Sequence, residues 1–230
     1  MSAPLTRNSP FAYQCGACGQ CCHDKKIQTN PYEVLRLARN RGLSTGAFIA
    51  RHMEAEGPFL QVRETGACVF LEGTGCSVHT DRPLVCRTYP LGRSVAADGV
   101  ERFGGIEPHP ASAGSSRGAG TVADYLARQR VDDFVAAADR LQALFYRLFD
   151  ALAAAPPGAG AAPSAVTVAA VEPAVAGEPD RPLYAEWFDV DDVVARYCDC
   201  TGRAVPEHAG DVFETYLEAM GYWLANTQET

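Results

Sequence analysis

The sequence predicts an α+β chain, in which a small cysteine-rich N-terminal domain with a short β-hairpin precedes a mainly helical C-terminal part. Three observations carry this prediction. Seven of the nine cysteines lie in the first 86 of 230 residues. Short strand-like stretches lie between residues 59 and 105, separated by glycine turns, and Phe59–Arg63 alternates apolar and polar, as a half-buried strand does. Beyond residue 121, apolar side chains recur at helical spacing in long runs, the mark of amphipathic helices. Hydrophobic content of 47% and charged content of 21% are those of an ordinary globular chain.

The elements follow in order. Residues 1–12 read as a lead-in. Cys15, Cys18 and Cys21 then repeat every third position and Cys22 follows at once. A compact turn with this spacing aims three thiolates at one point, which is how a chain holds zinc or an iron–sulfur cluster. Gly16 and Gly19 are expected there for their tolerance of positive φ. Asn30 is a good N-cap, Pro31 suits a first turn and Gly42 a C-terminus, so a helix is expected from Pro31 with Val34, Leu35 and Ala38 inward. Ser44 caps a second short helix to about Met53, with Phe48 and Ile49 buried. Phe59–Arg63 reads as a strand, Gly66 as a turn and Cys68–Leu71 as the returning strand of a hairpin. A glycine turn at Gly73 and Gly75 delivers Cys76. Pro83 and Pro90 bracket a rigid segment that fixes the direction of Cys86. Strand-like pieces follow at about 93–105. The expected domain spans 11–110.

After a small-residue loop at Ser112–Gly120, Thr121 caps a helix carrying Val122, Tyr125 and Leu126. Val131, Phe134, Val135, Ala138, Leu141, Phe145, Leu148 and Phe149 keep helical period for about five turns, so 121–153 is expected to pack on the first domain. Residues 154–182 are rich in Ala, Pro and Gly and read as a linker. In the segment 183–227, Tyr184–Phe188 reads as a docking piece. Asp189 caps a helix bearing Val190, Val193, Val194 and Tyr197, and Val212 to Leu224 form a last amphipathic helix. Cys198 and Cys200 stand apart in sequence from the first cluster and read as non-ligands.

The redox setting bears on what the cysteines do. The first ten residues lack the basic start and apolar run of a secretory leader, and Ala151–Val171 reads as linker rather than membrane span. A reducing, cytoplasmic setting is expected, where clustered cysteines bind metal more often than they pair as disulfides. Nine is also an odd number for a closed set of disulfides. The net charge is −8, yet residues 1–93 carry 11 Lys and Arg against 7 Asp and Glu. That local positive excess suits clustered thiolates, which are anionic when they bind metal. The basic residues are scattered and the whole chain is acidic, so neither nucleic acid nor a membrane is an expected partner. No phosphate-binding glycine loop and no Ser–His–Asp spacing is present. A separate cofactor site and catalytic residues are not assigned.

Three stretches together carry a resemblance: Cys-x2-Cys-Gly-x-Cys-Cys at 15–22, Cys-Val-Phe-Leu at 68–71, and Cys-Ser-Val-x3-Arg-Pro-x2-Cys-Arg-x-Tyr-Pro at 76–90. The chain resembles the YkgJ-type cysteine cluster family, a zinc- or iron-chelating domain of CxxCxxCC type, over about residues 11–110. The resemblance implies metal or iron–sulfur binding at Cys15, Cys18, Cys21, Cys22, Cys68, Cys76 and Cys86. Family members often carry the label iron–sulfur oxidoreductase, and a flagellin lysine methylase has a related cysteine motif.

Ligand arithmetic refines this. Seven thiolates exceed the four that one tetrahedral zinc or one cubane cluster takes from the protein. Two separate sites would need one more ligand, which His79, Asp81, His23 or a shared thiolate would supply. Adjacent side chains tend to diverge, so Cys21 and Cys22 are expected to serve different sites or different edges of one polynuclear site. Arg82 and Arg87 are expected to donate to a thiolate or to a neighbouring carbonyl. Three functions are compatible with these residues: a metal-binding protein holding zinc or an iron–sulfur or iron centre; an iron–sulfur oxidoreductase or cluster-dependent protein-modifying enzyme, with a protein partner or electron donor; and an interaction module that zinc staples together.

Overall fold

A computed structural model describes residues 4–73, 75–96, 99–153 and 184–226. It is α+β, as its local signals require. Among these residues the helices are α1 (Pro31–Asn40), α2 (Thr45–His52), α3 (Leu84–Thr88), α4 (Val122–Gln129), α5 (Asp132–Ala153), α6 (Ala185–Phe188), α7 (Val190–Thr201) and α8 (Ala209–Asn226). The strands form two antiparallel pairs, β1 (Leu71–Glu72) with β2 (Gly75–Cys76) and β3 (Leu91–Val95) with β4 (Glu101–Gly105). Among the described residues no helix is long and apolar enough to cross a membrane. The expected linker at 154–182 lies outside the described residues, as do the side chains of Leu148 and Phe149.

Helix starts follow their caps. The Asn30 side chain accepts from Glu33 N at 3.0 Å while the Glu33 carboxylate accepts from Asn30 N at 3.0 Å, a reciprocal capping box. Ser44 accepts from Ala47 N, and Asp189 from Asp192 N. Thr121 and Asp124 repeat the box at α4. Each such cap contributes on the order of 1 kcal/mol.

The hairpin is displaced from its expected place. Phe59–Arg63 makes only single bridges, to Gln28 from Phe59, to Met53 from Leu60 and to Cys68 from Val62. Consecutive residues answer to different partners, so no ladder forms there. The regular pair starts where the expected second strand ends, at Leu71–Glu72, and turns back at Gly75–Cys76.

α1 is the hub. Val34, Leu35, Leu37 and Ala38 are all fully buried, so this helix is covered on most of its circumference. Leu35 packs with Leu141, Val190, Val194, Phe213 and Tyr216 of α5, α7 and α8. Val34, Leu37 and Ala38 face the other way, toward Phe48, Leu60, Phe70 and Val78. A third cluster joins Tyr13, Leu91 and Phe103 to Val122, Tyr125 and Phe134. Tyr32 spans two of them, with its ring edge-on to Phe134 at 5.4 Å and tilted against Phe213 at 4.8 Å. Each large side chain so buried contributes roughly 1.5–3 kcal/mol.

α1 also aims the cysteine-bearing helix. The second oxygen of Glu33 accepts from Leu84 N at 2.6 Å, which pins the N-terminus of α3 and with it Cys86. Burial pushes the Glu33 carboxyl up from 4.5 to about 7, against two backbone donors and Arg87 that favour its charge. The native state therefore keeps a proton that the unfolded chain has lost between these two values. Stability falls as pH rises across that window, by about 3 kcal/mol in all. Urea unfolding at pH 4.5 and pH 7.5 is expected to show this loss in the wild type and not in Glu33→Gln. Equal pH slopes for the two chains would remove Glu33 as the responsible group.

Candidate metal centre

The cysteine turn is clamped at both ends. Before it, Gln14 N donates to Ser115 O at 2.9 Å, and after it Cys68 N donates to Cys22 O at 2.8 Å. Within it, Gly19 adopts φ 71° as the N-cap of a single 3-10 turn at Gln20–Cys22. Gly16 is needed for a different reason from the expected one. A Cβ there would stand 2.8 Å from the carbonyl carbon and oxygen of Ala113, so this glycine serves close approach. The positive φ falls instead on Ala17.

All seven predicted cysteines line one cavity of ≈ 260 Å³. They come from four pieces of chain: the turn (Cys15, Cys18, Cys21, Cys22), the bridged segment before β1 (Cys68), β2 (Cys76) and α3 (Cys86). Ile27, Leu60, Phe70 and Val78 form the apolar floor. Cys15 is exposed at the mouth, Cys68 is buried and the other five are half-buried. All nine cysteines of the chain are free thiols. Cys198 and Cys200 sit on α7, where Cys198 is buried in the helical core and Cys200 donates to Tyr197 O at 3.2 Å. Neither lines the cavity.

Cys21 and Cys22 both lie in the 3-10 turn, and their thiols shift in opposite directions. The hydrogen bond from Cys22 lowers the Cys21 thiol, with help from Lys25 and Arg82, while Cys22, the donor, is raised. Cys68, Cys76 and Cys86 are raised by burial first, and Cys86 also by Cys68, Cys21 and Cys76. Those mutual effects place five thiols close enough to sense one another. Cys18 is lowered by Ala113 N, which donates to its sulfur at 3.3 Å, and by Gln20 N.

Residues around the thiols divide by task. Lys25 stands with Nζ 3.7 Å from the centroid of the Tyr89 ring on the cavity wall. Arg82 donates to His79 O at 2.6 Å and to Gln129 Oε1 at 2.7 Å. Arg87 is buried and spends its donors on the carbonyls of Arg82, Gln129, Arg130 and Thr80, with its guanidinium 3.9 Å from the Phe134 centroid. Both arginines thus bind carbonyls, not sulfur. His79 lines the cavity, and burial followed by Arg82 holds its imidazole below the usual value, which favours the neutral form. Asp81 is engaged by Arg36 at 2.6 Å and Asn40 at 2.8 Å. His23 bridges Ala67 and is not a lining residue. Tyr13 and Ser112, which the sequence reading did not single out, close the outer wall through a 3.2 Å hydrogen bond.

Among the described residues no three His, Cys, Asp or Glu side chains stand close enough together, as they lie, to hold one metal ion. The thiols line a wall and do not form a closed cage. The donor set nevertheless fits a thiophilic cation. Soft thiolates gathered in an apolar hollow select zinc or iron over calcium or magnesium, and Lys25 and Arg82 offset part of the negative charge that deprotonation leaves.

No curated protein and no solved structure matches the chain. A family model does match residues 14–104, under the description "putative zinc- or iron-chelating domain". The match runs from the residue before Cys15 through Cys86 to β4, and so takes in every wall cysteine: over residues 14–104 the chain is similar to a CxxCxxCC domain.

Proposed function

We propose that this is a metal-binding protein that holds zinc, iron or an iron–sulfur centre on Cys15, Cys18, Cys21, Cys22, Cys68, Cys76 and Cys86. The observation that carries this reading is the gathering of seven thiols, spread from residue 15 to residue 86, around one cavity. The chain's own part is to supply sulfur donors, to balance their charge with Lys25 and Arg82, and to keep water from the inner face with Ile27, Leu60, Phe70 and Val78. A bound centre would supply either a closed thiolate staple or one-electron chemistry.

The mouth favours a centre that is reached from outside. Structural zinc sites are closed, whereas reactive ones keep an open side. Here Cys15 is exposed and Cys18 lies beside it at the rim. That supports an accessible role, as an iron–sulfur oxidoreductase or a modifying enzyme served by an electron-donor protein in the cytoplasm, over a purely structural staple.

Metal and acid-labile sulfide analysis with a visible spectrum, on protein purified without oxygen, tests both levels. Iron with sulfide and a broad visible band supports the cluster. Colourless protein with zinc supports a zinc thiolate site. Protein that takes up neither metal under reducing conditions overturns the proposal.

A further inference from the structure

A second cavity of ≈ 590 Å³ adjoins the first and shares with it Tyr13, Cys15, Ala17, His79 and Arg82. Its character is opposite. Arg82, Arg87, Arg128 and Arg130 line it with His79 and Gln129, and no Asp or Glu does. This in a chain of net charge −8. Arg82 and Arg87 are fixed in place by carbonyl and amide oxygens. Arg128 and Arg130 are exposed, and among the described residues neither guanidinium has a carboxylate within ion-pair distance. Arg130 sits at φ 53°, a left-handed conformation that costs a non-glycine residue energy. It occupies the corner between α4 and α5, where the backbone carbonyls of Gln129 and Arg130 are tied to Arg87. A corner held by a buried arginine thus presents two further arginines to a cleft lined by no carboxylate, with Asp124, one turn before Arg128 on α4, sensing its charge from outside the lining.

We propose that this cleft binds a small organic anion through phosphate or carboxylate oxygens, at the Cys15 edge of the thiol cavity. Guanidinium forks match both oxyanions in geometry and charge, and the volume is of the size that ligand sites have. The site is built from arginines and stands independently of whether the thiols hold metal.

Calorimetric titration of the full chain with inorganic phosphate, and separately with succinate, tests it. Binding of at least one with a Kd below about 1 mM is expected, and the tighter arm assigns phosphate or dicarboxylate. Arg128→Gln and Arg130→Gln, both exposed and each keeping a polar side chain, are expected to weaken binding about tenfold each, a loss of one charge-assisted bond. Arg140→Gln, on α5 and paired with Glu214, is expected to bind as wild type does. Cys18→Ser, measured for metal content at the same time, is expected to keep its anion affinity whatever metal it loses. Absence of binding by both anions, wild-type affinity in both cleft variants, equal weakening by Arg140→Gln, or affinity that disappears with the metal in Cys18→Ser would each overturn the site. The metal analysis stands or falls separately.

Discussion

Cys86→Ser is expected to bind metal at least a hundredfold more weakly and to melt roughly 10 °C below the wild type. Cys86 is the ligand candidate that draws the most chain together. It rides on a five-residue helix whose N-terminus is held by Glu33 of α1, and its thiol senses Cys21, Cys68 and Cys76. Serine keeps the size and gives up the soft donor, so the substitution separates ligation from packing. A metal that binds only the native state stabilises by RT ln(1 + [L]/Kd), about 4 kcal/mol at a thousandfold excess over Kd. For a chain of this length each kcal/mol moves the melting point by about 2–4 °C. Chelation should lower the wild-type melting point by the full metal contribution, and that of Cys86→Ser by about a third of it or less. Cys200→Ser, exposed on α7, should leave metal content and melting unchanged. A Cys86→Ser chain that binds a full complement of metal would remove Cys86 from the ligand set.

How much of this was legible before the structure depends on how local each signal is. The capping boxes at Asn30 and Thr121 span four residues each, so the starts of helices α1 and α4 are local signals. The seven cysteines were singled out as a set by the resemblance of three separate stretches to one cysteine-cluster family, and they do line one cavity. What failed involved pairing at a distance or backbone approach. The placement of the hairpin depended on which neighbours Phe59–Arg63 would meet, and those are Gln28, Met53 and Cys68 in turn. The Ser112–Gly120 loop looked like a spacer, yet Ser115 pairs with Gln14 and Ala113 N reaches Cys18 sulfur across 95 residues. Nothing in its composition marks it as a wall.

Arg87 was the residue whose chemistry was named and whose target was left open between sulfur and carbonyl. Its geometry leads to the second large effect: Arg87→Ala is expected to destabilise the fold by about 4 kcal/mol, or roughly 10 °C. Arg87 is 3% exposed, and its guanidinium donates to four backbone carbonyls that belong to the 80–83 loop and to the α4–α5 corner. Alanine leaves several of these acceptors without a donor, at about 1–3 kcal/mol each before water relieves some of them, and also removes the cation from the face of Phe134. The charge itself is borne with difficulty. Burial, followed by Arg82, brings the guanidinium down to about 10, so the hydrogen bonds outweigh an adverse environment. Arg87→Lys keeps the charge but not the planar fork that reaches two chain segments at once, and should recover less than half of the loss. Since Arg87 spends its donors on carbonyls and none on sulfur, metal bound per folded chain should match wild type in Arg87→Lys at a temperature well below its melting point. Wild-type melting combined with lost metal in Arg87→Lys would show instead that the guanidinium acts on the thiols.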